Sequence, residues 1–229
     1  LTSQRLDLEF GARLEVAADS TVNAELIRFV GSDETIDESG TLNVTDIEIV
    51  ADADSFGSNV VIANDIDVIS LDIDGSIATF RNNFGVMLGL DVRDSSLHIE
   101  AGNFASADGN FTDSDLDVAE GASFEVADGF GFHFGSIDVS GDFEARAADI
   151  DDASIAVEFG GDFDVGNLVF EGGGLYVDGD LDALTAAFSN VEATVDVDGD
   201  VDVGALSIDE GDWEVYGDVT VNTASITNS

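Results

Sequence analysis

The chain has no cysteine and no proline among its 229 residues, and no lysine either. Without cysteine, neither disulfides nor thiolate metal sites can hold the fold. Without proline, no backbone N–H is missing from a strand that is paired on both sides. All six basic residues are arginines (Arg5, Arg13, Arg28, Arg81, Arg93 and Arg146), set against 50 acids, and the formal net charge is -44. A surface of that sign repels phosphate backbones and anionic lipid, because affinity for both comes mainly from Lys and Arg. Nucleic acid is therefore excluded as a partner. No run of about 18 apolar residues exists either, so no segment reads as a membrane-spanning helix.

What is present points to a packed protein. Hydrophobic residues make up 44% of the chain, too many for a disordered acidic tail. An acid surplus of this size is best tolerated where salt screens it, so an extracellular or cell-surface location is expected. The chain opens at Leu1 without a secretion leader and closes on the polar stretch ITNS. It reads as a single domain, residues 1–229, from a longer secreted chain.

An internal repeat organises the sequence. Gly-Asp recurs at Gly141, Gly161, Gly179, Gly199 and Gly217, at spacings of 20, 18, 20 and 18. An apolar residue follows each one, and that position can be traced back without the marker. It reads Val22, Leu42, Ile66, Phe84, Phe104, Phe124, Phe143, Phe163, Leu181, Val201 and Val219. Within a repeat, apolar and polar residues alternate in three bursts, as in Phe163/Val165, Leu168/Phe170 and Leu175/Val177. Bursts this short are strands with one buried face. No stripe of helical period survives, since glycine recurs every few residues.

Three short strands per repeat predict an all-β parallel β-helix, a β-solenoid of about eleven rungs of 18–24 residues. No rung can bury its apolar face alone; stacking on the next makes a continuous core. At about 4.8 Å per rung the rod would be about 50 Å long, with the phenylalanines stacked in a column. The longest step, Leu42 to Ile66, predicts a bulging loop at 52–59. Phe130 and Phe132 read as core, and Phe134 as a corner or surface residue.

Two outward columns flank the inner one. The preceding position runs through Asp142, Asp162, Asp180, Asp200 and Asp218; the following one runs through Asp164, Asp182 and Asp202. Stacked aspartates repel by about 1 kcal/mol per neighbouring pair even in water. Such ladders call for cations, and oxygen ligands suit a hard cation, so weak Ca²⁺ bridging along these eight residues is an expectation. A calcium loop is not. In VDVDGDVDVG, an EF-hand starting at Asp196 would need glycine at Val201 and glutamate at Ser207. That stretch reads instead as a joint, with Val195 and Val197 closing one rung and Val201 and Val203 opening the next.

Catalysis is not expected. A lyase acting on anionic polysaccharide needs basic residues to neutralise its substrate, and the arginines are scattered. Glycoside hydrolysis needs a pair of carboxylates, and fifty acids single out none. His98 and His133 lie at outward strand positions with no marked partner.

Repeats such as GDFDVGNLVFEGGGLYVD (161–178) and GDVDVGALSIDEGDWEVY (199–216) resemble the β-helical shafts of large bacterial exoproteins, the filamentous-haemagglutinin-like adhesins and autotransporter passengers. The resemblance implies a secreted, non-catalytic adhesive rod for attachment, biofilm or a surface coat. Its partners would be flanking rungs, other copies of the chain and cell-surface glycans. Two other readings stay open: a filament subunit stacking end to end with Ca²⁺, and a polysaccharide-active enzyme.

Overall fold

A computed structural model describes residues 1–9, 14–16, 20–31, 33–38, 41–51, 57–63 and 65–227. Every strand pairing in it is parallel, and the strands pair with segments about one repeat away in the chain. The chain is a β-solenoid.

The register matches the repeat. Val22 pairs with Leu42 and Ile66 with Phe84; Phe84, Phe104, Phe124, Phe143 and Phe163 then follow one another, and Leu181, Val201 and Val219 complete the column. Across the long step from Leu42 to Ile66 the strands pair only from Asp46 and Ser70 onward, with Ile47 on Leu71 and Ile49 on Ile73. Residues 52–56 of the loop expected there lie outside the described residues; Ser58 is buried and Asn59 begins a strand.

Alternation decides which side chains enter the tube. In Asp162–Val177 the inward residues are the three expected pairs, all buried. Aromatic rings fill the middle of the rod. Phe143 and Phe163 stack with centroids 4.5 Å apart at 10°, and Phe84, Phe104 and Phe124 continue the pile at 5.3 and 5.4 Å. Phe111 and Phe132 form a second stack at 5.5 Å on the next face. Each fully buried phenylalanine contributes about 3 kcal/mol by area removed from water.

The corners differ from the expected breaks. Toward the C-terminus the backbone pairs almost continuously around the turn, so Asp142–Val157, Asp162–Val177, Asp180–Val195 and Asp200–Val215 are each strands of 16 residues. The second corner is made by one or two left-handed residues per coil, among them Asp94, Asp113 and Asp152 at φ 49° and Asn190 at 56°. Aspartate and asparagine tolerate that conformation better than most residues. Val197 is also not where the sequence puts it: Val195 is buried, but Val197 is 70% exposed on the third corner. The Asp196 carboxylate accepts the Val197 N–H at 2.7 Å, which turns the chain early.

Behind the second corner runs a buried spine of serines. Ser58 N–H donates to Ser76 Oγ, Ser76 N–H to Ser95 Oγ and Ser95 N–H to Ser114 Oγ, at 3.1, 3.0 and 3.2 Å. The hydroxyls of Ser76, Ser95 and Ser114 donate to the carbonyls of Asp74, Arg93 and Thr112. The next place in the spine is Gly135, where φ is 126° and a Cβ would lie 1.8 Å from the Ser114 carbonyl oxygen. Only glycine fits there.

Candidate functional site

The two acidic columns occupy the outer surface of the first face. Between them, Phe143, Phe163, Leu181 and Val201 point inward and fix the flanking residues outward. Asp142, Asp162, Asp180, Asp200 and Asp218 pair in unbroken succession. Beside them run Glu144, Asp164, Asp182 and Asp202, and Thr220 ends the second column. Asp180, Asp182, Asp200 and Asp202 thus mark the corners of a rectangle about 5 by 7 Å. A groove of about 440 Å³ lies along them and reaches Asp218 and Thr220.

The crowding registers on the carboxyls. Asp162 and Asp182 are both pushed above the ordinary aspartate range, first by partial burial and then by neighbouring charges, chiefly Asp182 on Asp162 and Asp202 on Asp182. The five described arginines do not relieve this, because each is paired elsewhere. Arg93 bridges Asp72 and Asp91, both at 2.8 Å; Arg81 meets Glu100 at 2.6 Å and Arg28 meets Glu48 at 3.0 Å. Arg5 pairs with Asp7, and Arg146 reaches Asp128 at 3.4 Å.

The same column behaves differently toward the N-terminus, where it carries Asp65, Asn83, Asn103 and Ser123. There the side chains bond to one another up the rod. Asn83 donates to Asp65 through both its backbone N–H and its amide, Asn103 N–H donates to Asn83 Oδ1, and Ser123 Oγ–H donates to Asn103 Oδ1 at 3.1 Å. Amides are donors and acceptors at once, so they stack with satisfaction. Ionised carboxylates only accept, so the C-terminal ladder has open acceptors along its length.

All eight sequence-predicted aspartates therefore fall in one double ladder. Among the described residues, no three acidic or imidazole groups close on one metal-sized point. A cation here would bind pairs of carboxylates and keep most of its water.

Other residues took on partners that single positions could not reveal. His98 Nδ1 lies 3.2 Å from Asp117 Oδ2, and His133 Nδ1 lies 3.7 Å from Asp151 Oδ2, each in the next coil. A spacing of 18–19 residues between His and Asp was the available signal. Tyr176 O–H donates to Asp196 at 2.9 Å, which pushes the phenol up to about 12. Phe130 and Phe132 are buried as expected, while Phe134 is 47% exposed with φ 61° on the second corner.

No family model, curated protein or solved structure matches this chain.

Proposed function

We propose that the chain is a non-catalytic rod of the extracellular space or cell surface, serving attachment, biofilm or a surface coat. One observation carries this reading: the core column Phe29, Ile49, Ile73, Val92, Phe111, Phe132, Ile150, Phe170, Phe188 and Ile208 pairs from coil to coil without a break, so nearly the whole chain is spent on building a shaft. Likeness in repeat pattern to the shafts of secreted bacterial adhesins supports it. Glycans and neighbouring rungs are the proposed partners, with Ca²⁺ as a loosely held counterion of the double ladder. Binding of the purified chain to glycan-coated and bare surfaces tests this. Attachment without cleavage is the expected result. Failure to attach, together with new reducing ends released from alginate or pectin, would favour an enzyme instead.

A second reading is end-to-end stacking of copies into a filament. It is favoured by the parallel, in-register pairing of successive coils, a pattern that the strands of another copy could extend. Electron microscopy of the 229-residue chain with and without EDTA separates the two. Monodisperse short rods that ignore chelation would count against filaments.

A further inference from the structure

The third face of the rod carries a depression that the fold does not require. Two outward columns run along it, one through Ser154, Gly174 and Glu192, the other through Asp138, Ala156 and Tyr176. Side chains shrink at Ser154, Ala156 and Gly174, and a groove of about 350 Å³ opens there. That is at the lower end of ligand pockets, which hold about 300–1,000 Å³.

Gly174 is the informative residue. Its neighbours Gly172 and Gly173 have left-handed backbones, and a Cβ on Gly173 would lie 1.8 Å from the Ala153 carbonyl oxygen. Gly174 has no such constraint: a Cβ there would meet only the Glu192 carbonyl oxygen, at 3.9 Å. Glycine weakens a strand, and a β-branched residue would suit this position better. What glycine provides here is open space. Beside that space stands Tyr176, a half-buried ring whose orientation is fixed by its bond to Asp196.

The geometry points to a subsite for a neutral sugar ring in this groove, with Tyr176 as its wall and Asp138 and Glu192 as its acceptors. The inference rests on the adhesive reading above. A pyranose has an apolar C–H face that packs on an aromatic ring, and hydroxyls that donate to carboxylates in short, charge-assisted bonds. Ser154 offers a further hydroxyl. Uronates, sialates and sulfated sugars are disfavoured, because they would approach a chain of net charge -44.

The test is titration of the 229-residue chain with cellotetraose, mannotetraose and tetra-N-acetylchitotetraose, followed by saturation-transfer NMR. One ring in a shallow groove gives affinity of about millimolar order. At least one of the three should bind. Gly174→Thr and Tyr176→Ala should each weaken it about tenfold or more, while Gly174→Thr melts no lower than the parent chain. Binding by none of the three, or binding unchanged by Gly174→Thr, overturns the subsite. The two readings fail separately. If Gly174→Thr still attaches to glycan-coated surfaces as the parent does, the subsite is wrong and adhesion stands. If the parent binds a free tetrasaccharide but attaches to no coated surface, the subsite stands and adhesion fails.

Discussion

Asp162 and Asp182 have raised proton affinity in the folded rod, and this sets a pH dependence. A carboxyl whose folded pKa is raised contributes stability below its unfolded value, and loses it as pH rises through the folded one. Asp196 has the opposite sign, because the Val197 N–H and the Tyr176 hydroxyl hold its carboxyl below the usual range. The melting temperature should therefore rise as pH falls from 7 toward the ordinary aspartate range. It should fall again below that range as Asp196 takes a proton. Asp162→Asn with Asp182→Asn should flatten the first limb, which thermal melts across pH would check. Phe134 offers a second test at this scale. A bulky residue at φ 61° costs about 1–2 kcal/mol over one that accepts the left-handed region. Phe134→Asn should stabilise the chain by about 1 kcal/mol in urea titration, since the ring is exposed and gives up little packing.

Each coil combines legible and illegible parts. The inward columns could be read from the sequence because burial imposes a period of two and stacking imposes a period near 19. Phe84 through Phe163 lie where both periods coincide. The corners were harder. Asp94, Asp113 and Asp152 look like surface acids, yet each bends the backbone. Ser76, Ser95 and Ser114 look like loop residues, yet each is buried with its hydroxyl bonded, and the N–H groups of Ser76 and Ser95 are bonded too. Nothing local distinguishes a serine whose partner is 19 residues away. Ser95→Ala would leave the Ser76 N–H without its partner and the Arg93 carbonyl with the Gly75 N–H alone. A loss of about 1–3 kcal/mol is expected from chemical denaturation. The double ladder lies between these cases. Its eight aspartates were visible as columns, but its surroundings were not, because only the fold shows that the five described arginines are each paired with other acids.

Charge acts on the rod as a whole. With a net charge of -44, repulsion between coils should weaken as salt shortens the Debye length from about 30 Å at 0.01 M to about 8 Å at 0.15 M. The melting temperature should rise over that interval. If the double ladder also holds Ca²⁺, calcium should raise it further than sodium at equal ionic strength. Replacing Asp180, Asp182, Asp200 and Asp202 with asparagine should remove that difference. Calorimetry at matched ionic strength would decide the point.

Everything proposed for the surface rests on the stacking register, and cross-linking tests it most directly. In the solenoid, Asp164 sits opposite Asp182, while Asp180 sits opposite Asp162. Register partners are about 4.8 Å apart, within disulfide reach; a diagonal pair is about 8 Å apart, beyond it. In this cysteine-free chain, Asp164→Cys with Asp182→Cys should oxidise readily to a disulfide without altering the circular dichroism. Asp164→Cys with Asp180→Cys should stay reduced. Equal oxidation of both pairs, or preference for the diagonal one, would contradict the in-register rod.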